Sequence, residues 1–414
     1  MKFPNPKIIS FRDEVDEITN TSYLTHSLYY HPAKFIPQIV KYCLTEYTKK
    51  GGKTLDPFAG SGTTGLEASV NGYSALLTDI NPLLDYFYPI KLPEFSIKEW
   101  DKYALNAIGI VDKIYDVDIK KLRIKNTNSK LEYWYPPDLF LYFSKIFEEI
   151  KKQKNPIVKK ILILTFFKLS KKYSFAEHAM PKLFTSKRKR QTIQDLNRNT
   201  DFPSKIAIEA KKEIKRIDKS VTELINKFNL KKIEYYSGVD AYNFNYKEKG
   251  MVDSIITSPP YLQAQEYMRT FKLEMMWLGY SDEKIKSFSK KEIPFRKPEG
   301  RINGQYINTT RDKIKSKKLQ EMFDSYFWFT IKAIENASNS LRKKGNLCVL
   351  IGNPVMEKEL IEIWKVIYEY FVVEKGYKPI EVFEDKIVTR KLFSGRKNNN
   401  PTGMHSEFLL VLEK

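Results

Sequence analysis

Two short stretches of the chain carry residue types whose spacing could do chemistry. The first is TLDPFAGSGTTGLEA, Thr54 to Ala68. A strand-like run ends at Asp56 and a helix-forming run begins near Thr63. Between them Gly60 and Gly62 permit a tight turn and close approach of a ligand to the backbone. An α/β sheet holds nucleotide-like cofactors in this way, at the carboxyl ends of its strands. Gly60-Ser-Gly62-Thr-Thr-Gly65 also satisfies the GxGxxG pattern, a weak signal alone. Asp79 follows about 20 residues on, at the end of the next strand-like run, where a carboxylate can accept both hydroxyls of a ribose. A turn or helix-capping role is the alternative, since Asn81 and Pro82 follow it.

The second stretch is TSPPYLQAQEY, Thr257 to Tyr267. It too follows a strand-like run, Ser254 to Thr257. Pro259 and Pro260 stiffen the backbone and remove two amide donors. The Ser258 hydroxyl and a proline carbonyl can then accept both hydrogens of an amino group, while Tyr261 stacks on the ring that carries it. An ordinary Pro-Pro turn is the structural alternative.

These loops need a sheet to hold them. Strand-like runs at Lys53 to Phe58, Tyr73 to Thr78, Ile233 to Tyr236, Ser254 to Thr257, Asn346 to Ile351, Ile380 to Thr389 and Glu407 to Leu412 alternate with helical patterns. That alternation predicts an α/β fold with helices on both faces of a parallel or mixed sheet. A helix is expected over His31 to Tyr47, with Pro37 either kinking it or marking its start. Helices are also expected over Thr63 to Asn71, Met322 to Lys343 and Lys358 to Phe371. Residues 1–30 read as irregular, and Pro82, Pro89 and Pro93 as breakers. Residues 96–232 are Lys-rich and helical in pattern; their apolar run Ile161 to Phe167 reads as a buried helix. Residues 281–318 read as a basic loop or small insert. The expected organisation is therefore an N-terminal catalytic part (1–95), a basic helical insertion (96–232) and a C-terminal catalytic part (233–414).

The chain has 414 residues and a formal net charge of +21, which suits a polyanionic partner. Lys187, Arg188, Lys189 and Arg190 form its densest basic run, either a nucleic-acid contact or a solvated loop. Two cysteines, Cys43 and Cys348, cannot build a disulfide framework, and no Cys/His spacing suggests zinc. MKFPNPKIIS lacks the apolar core of a secretory leader, and no run of about 18 apolar residues suggests a membrane span. A cytoplasmic protein without a metal or membrane association is expected.

Taken together, DPFAGSG and SPPY resemble the two motifs of the amino-group DNA methyltransferases. That family has a DPFxGxG loop for S-adenosyl-L-methionine and a [DNS]-P-P-[YFW] tetrad for the target amine. Thr25-His26 and HPAKF (His31 to Phe35) are similar to the family element that contacts the methionine end of the cofactor. Tyr29 and His31 here stand where His and Tyr are usual. The motif order is similar to the class alpha arrangement, in which the segment between the motifs contains the target-recognition region.

The resemblance implies a Rossmann-like methyltransferase sheet. It implies S-adenosyl-L-methionine contacts from Thr25, Lys34, Phe35, Asp56, Pro57, Phe58, Gly60, Gly62, Thr63, Asp79 and Asp240, the last with a plain turn role as alternative. Ser258, Pro259, Pro260 and Tyr261 become the catalytic tetrad. Arg269 and Lys272, on a helical run after it, are phosphate contacts or a solvated face. Serine at the head of the tetrad favours the N4 amine of cytosine; the N6 amine of adenine is the alternative. Double-stranded DNA is the implied partner, a cognate restriction endonuclease a common one, and the chain is expected to act as a monomer or homodimer. C5-cytosine chemistry needs a cysteine nucleophile, and neither Cys43 nor Cys348 lies in a suitable context. An NAD-dependent oxidoreductase would share the glycine loop and Asp79 but leaves SPPY unexplained. RNA methylation is a nearer rival, although its tetrads more often read NPPY or DPPY.

Overall fold

Strands buried on both faces read as near-continuous apolar runs, and the sequence supplies such runs at Ala75 to Leu77 and Leu347 to Ile351. In the computed structural model, which describes residues 2–28, 35–115, 117, 129–177, 183–198, 201–262, 267–293, 295–386 and 406–414, these runs lie inside one eight-stranded sheet. The strands are β1 (Lys7–Ile9), β2 (Lys53–Asp56), β3 (Ser74–Asp79), β4 (Ile233–Ser237), β5 (Val252–Thr257), β6 (Leu341–Gly352), β9 (Lys378–Lys386) and β10 (Ser406–Glu413). β7 (Val355–Met356) and β8 (Glu359–Leu360) make a separate hairpin. The sheet order is β1-β9-β10-β6-β5-β2-β3-β4, and only β10 runs antiparallel to its neighbours. This is a Rossmann-like α/β fold.

Side-chain alternation along β6 divides the interior in two. Leu347, Val349 and Ile351 join Leu55, Leu76, Ile255, Leu410 and Leu412 in one core, closed by the helix Lys317–Ser338. Cys348 and Leu350 join Leu77, Ile256, Leu409 and Val411 in the other, closed by the helices Pro37–Tyr47 and Thr63–Val70. Period-two alternation sends successive residues to opposite faces, so both faces need helical cover.

The connections fix where a ligand can sit. From β2 the chain proceeds outward to β3 and β4; from β5 it proceeds the other way to β6. β2 and β5 are therefore neighbours at the point where the strand order reverses. Crevices at such points, outside the carboxyl ends of the strands, are where open α/β sheets bind ligands.

Between β3 and β4 lie the helices Leu84–Lys91, Ile97–Ile114, Pro137–Lys151, Pro156–Lys172, Lys187–Asn197 and Phe202–Lys227, with a short turn of helix at Ser129–Glu132. Ser96 and Glu99 form a capping box at the start of the second, and Asn155 caps Pro156–Lys172 by accepting from two backbone amides. The Ile161 to Phe167 run is buried within the latter. No helix among the described residues is long and apolar enough to cross a membrane.

The structure differs from the sequence reading in several places. Residues 7–9 are not irregular: they pair with β9 as β1, a strand too short to show a period. The first long helix begins at Pro37, which occupies its first turn, where a missing N–H costs nothing. His31 to Lys34 lie outside the described residues. Pro89 does not break the helix Leu84–Lys91 but sits near its end. Residues 281–318 contain the helices Asp282–Ser289 and Gln305–Asp312 and bury Ile285, Phe288, Ile293, Ile302, Ile307 and Ile314. Isolated isoleucines among charges hid that packing. The expected Met322 to Lys343 helix ends at Ser338, because Leu341 pairs with Val252 at the start of β6. The expected Lys358 to Phe371 helix begins at Ile363, after the β7–β8 hairpin, and runs into a wider helical turn at Glu369–Glu374. The expected final residues of the Ile380 to Thr389 strand lie outside the described residues.

Trp100 joins the insertion's first long helix to its last. It is fully buried, and its indole N–H donates to Asp218 at 2.8 Å. Trp100→Ala should cost about 3–5 kcal/mol, from lost packing and a stranded carboxylate. Chemical denaturation would show the loss; a change under about 1 kcal/mol would mean that the two helices do not depend on this contact.

Candidate functional site

Asp56 ends β2 and Thr257 ends β5, so the glycine loop and the Ser258–Tyr261 loop leave the same edge of the sheet from adjacent strands. A buried carboxylate joins them. The Thr257 hydroxyl donates to Asp56 Oδ1 at 2.7 Å, and the Phe58 backbone N–H donates to the same atom at 3.1 Å. The Thr64 hydroxyl, from the helix after the glycine loop, donates to Oδ2 at 2.6 Å. Burial pushes the Asp56 carboxyl up to about 6, against the pull of these three donors.

The glycine loop is shaped by backbone needs. Gly60 and Gly62 adopt φ of 49° and 75°, in the left-handed region. At Gly62 a Cβ would also meet the Tyr88 ring at 2.8 Å. The Tyr88 hydroxyl donates to the Gly60 carbonyl at 3.0 Å, and the Pro57 carbonyl accepts from Thr78 at 3.2 Å. Thr63 is buried at the helix start, with its hydroxyl 3.3 Å from that of Ser61. Phe58 is half-buried.

Asp79 ends β3 beside this loop. Its carboxylate accepts the Gly60 N–H and the Asn81 N–H, each at 2.8 Å. The turn role is thus real, but it does not exclude a ligand role: an ionised carboxylate has about four lone-pair sites, and two amides use two. Part of the side chain remains open to solvent. Burial raises the Asp79 carboxyl above the usual range. Asp79, the glycine turn and the half-buried Phe58 thus lie together at one end of the sheet.

The Ser258–Tyr261 stretch follows β5, the neighbour of β2 in the sheet. Pro259 is buried, whereas Ser258, Pro260 and Tyr261 are partly open. The Tyr261 hydroxyl donates to Glu407 on β10 at 2.6 Å. Gln263 to Glu266 and Lys34 lie outside the described residues.

Other expected residues occupy less direct places. The Thr25 hydroxyl donates to the Lys91 carbonyl at 2.8 Å, and the buried Lys91 ammonium donates to the Ser61 carbonyl at 2.6 Å. Thr25 therefore reaches the glycine loop through Lys91. Phe35 is half-buried against the helical core. Asp240 is paired with Arg296 at 2.9 Å and accepts the Tyr242 N–H at 3.1 Å. Lys187 to Arg190 form the first turn of a helix rather than a loop, capped by Ser186. Lys187 and Arg188 face solvent. Lys189 donates to the Lys172 carbonyl, and the Arg190 guanidinium lies 4.2 Å from the Phe175 ring centre and 5.3 Å from that of Tyr133. Arg269 is exposed on the short helix Tyr267–Thr270, and Lys272 sits 3.7 Å from Asp282. Cys43 and Cys348 are fully buried, and burial pushes the Cys43 thiol up. No group of His, Cys, Asp or Glu among the described residues is arranged to hold a metal.

The sequence reading missed Thr64, Lys91, Thr257 as a bridge, Glu407, and the partners of His26 in a trio with Tyr23 and Glu67. In that trio the Tyr23 hydroxyl donates to Glu67 Oε1 at 2.5 Å, and His26 Nε2 is 2.8 Å from the same atom. Glu67 is pushed up to about 7 by burial. Glu67 inside the TTGLEASV helix was the available signal, a carboxylate on a helix that is otherwise apolar or small.

Several known proteins are similar to this chain. The pattern of the DNA methylase family matches residues 10–85. Over 348 residues the chain is 23% identical to the Type II methyltransferase M.BsoBI of Geobacillus stearothermophilus, covering 78% of this chain and 62% of that protein. Over 402 residues it is 24% identical to the Type II methyltransferase M.AvaI of Nostoc sp., covering 92% and 77%. An 84-residue stretch is 32% identical to the Type II methyltransferase M.MjaII of Methanocaldococcus jannaschii, covering 20% and 16%. The chain thus spans less than two thirds of the length of M.BsoBI and of M.MjaII.

Asp56 offers a direct test of the bridge. Its folded-state value lies above the ordinary 3.8, so its contribution to stability is present at low pH and is lost as pH rises through about 6. Relative to Asp56→Asn, the wild-type chain should therefore become less stable between about pH 4 and about pH 7, as seen by urea denaturation. A difference that stays flat over this window would place the carboxylate in contact with water.

Proposed function

We propose that the chain, which is similar to the DNA methylase family over residues 10–85 and to Type II methyltransferases over most of its length, methylates the exocyclic N4 amine of cytosine in double-stranded DNA at a specific sequence. We further propose that it serves beside a restriction endonuclease. The observation that carries the reading is the Thr257–Asp56 hydrogen bond, because it ties the glycine loop, which would take the cofactor, to the strand that leads into the Ser258–Tyr261 loop, which would take the amine.

S-adenosyl-L-methionine, when bound, supplies the methyl group as an electrophilic carbon. Asp79 would accept the ribose hydroxyls, and Gly60 and Gly62 let the backbone approach. Asp56, Pro57, Phe58 and Thr63 shape that loop. Thr25, Lys34 and Phe35 belong to the methionine end, and Asp240 to the adenine end.

On the other side of the crevice the amine must be made nucleophilic. Its lone pair is delocalised into the base. Acceptors at Ser258 Oγ and the Pro259 carbonyl, each taking one N–H, favour a pyramidal nitrogen and stabilise the charge that develops there. Pro260 keeps the loop stiff. The target base is inaccessible inside a duplex, so it is flipped out and stacked on Tyr261. Positioning supplies much of the rate, since attack must be in line.

The basic insertion would carry the duplex. Lys187 and Arg188 are suited to phosphate or base contacts, with Lys189, Arg190, Arg269 and Lys272 in support. The stacking of Arg190 on Phe175 assigns it partly to shaping that helix. Electrostatic contacts of this kind weaken steeply with salt.

Ser258→Ala or Tyr261→Ala should remove most methyl transfer, by about 100-fold or more, while leaving cofactor affinity intact. Asp79→Ala should weaken cofactor binding instead. Calorimetry with S-adenosyl-L-methionine and a transfer assay on DNA separate the two effects. Long-read sequencing of DNA from cells that make the protein reads both the base and the flanking sequence. Modified adenine would replace cytosine in this reading, and full activity in Ser258→Ala would refute the tetrad.

A further inference from the structure

Stacking on a base uses an aromatic face and does not require the phenolic hydroxyl of Tyr261, yet here the hydroxyl has a specific partner. It donates to Glu407 Oε1 at 2.6 Å, and Glu407 is 8% exposed. Tyr261 lies just beyond the end of β5, and Glu407 near the start of β10. In the sheet β6 stands between those strands, so the tyrosine side chain reaches across the carboxyl end of β6. Glu407 is fixed from both sides, opposite Gly352 of β6 and opposite Asp385 of β9. Directly opposed residues share a face of the sheet. Accordingly Asp385 is pushed up to about 6, by burial first and by the Glu407 charge second.

We infer that Glu407 is a positioning residue, whose carboxylate anchors the Tyr261 hydroxyl and so sets the plane of the ring against which the target base stacks. The inference rests on the reading of Tyr261 as the aromatic wall of the base pocket. An unanchored ring on a loop would sample several rotamers, and each stacking event would cost the entropy of freezing it. An anchored ring is already in place when the base arrives.

The test is a double-mutant cycle on duplex DNA carrying the sequence that the wild type modifies, with a second duplex carrying 2-aminopurine in place of the target base to report flipping. Tyr261→Phe and Glu407→Ala should each lower kcat/KM by about tenfold, the worth of one charged hydrogen bond. Both should reduce the population of flipped base, with S-adenosyl-L-methionine affinity unchanged. Their combination should lose no more than the worse single change. Glu407→Gln, which keeps an acceptor, should recover most of the activity. Should Glu407→Ala not fold, Glu407→Met takes its place, with the same length and no acceptor. Losses that multiply in the double variant, or an unaltered flipping signal in both single variants, overturn the anchor. A wild-type protein that methylates no DNA overturns instead the function proposed above, so the two failures are distinguishable.

Discussion

The site depends on a carboxylate that has been taken out of water. Asp56 accepts hydrogen bonds from Phe58, Thr64 and Thr257, and so touches the start of one loop, the helix behind it and the strand that launches the other loop. Removing a carboxylate from solvent is expensive unless its lone pairs are filled. Three donors fill most of them, and the residual cost appears as an acidity near 6. Because each donor belongs to a different local element, none of these elements can shift without opening a gap at a buried charge. That cost fixes the two loops in one register, as the proposed in-line transfer requires.

The same logic extends to the insertion. Its helices could be a loosely tethered appendage, but they are bonded to the segment that follows the tetrad. Trp277 donates its indole N–H to the Tyr135 hydroxyl at 2.9 Å and packs against Phe140, Phe147 and Phe166. Lys171 donates to the Thr270 carbonyl at 2.9 Å and pairs with Glu274. The basic helix Lys187–Asn197 grows from this body, with Lys189 bonded to the end of the helix Pro156–Lys172. The basic helix is thus held in a fixed relation to the segment that follows the Ser258–Tyr261 loop.

What could be read from the sequence, and what could not, follows from the distance over which each feature is made. The glycine loop and the tetrad are contiguous strings, and each carries its chemistry and its strand-end position within a dozen residues. The helical insertion shows through its apolar spacing, and β6 through an unbroken run of apolar residues. The bridges do not show. Thr257 meets Asp56 across 201 positions, and Tyr261 meets Glu407 across 146. Each of those residues looks, in its own neighbourhood, like an ordinary strand terminus. Lys91 is subtler: a lysine among Pro, Ile and Leu reads as a surface residue, yet it is 2% exposed, with its ammonium donating a hydrogen bond to the Ser61 carbonyl. Its role exists only once the helix Leu84–Lys91 has packed behind the glycine loop.

The charge at this sheet edge also bears on the neutral residue that heads the tetrad. Asp56 and Asp79 end adjacent strands, and the Asp79 charge adds to burial in holding the Asp56 carboxyl above its ordinary range. Glu407 and Asp385 repeat the arrangement on the far side of β6. An aspartate at position 258 would stand one residue beyond Thr257, whose hydroxyl is already committed to Asp56. It would add a further negative charge to an edge where two carboxyls are already driven toward protonation. Like charges so close cannot all ionise without loss. A serine hydroxyl accepts a hydrogen bond without that cost. The neutral tetrad is thus consistent with the bridge that positions it, because the carboxylate needed to lock the loops leaves little room for another to grip the amine.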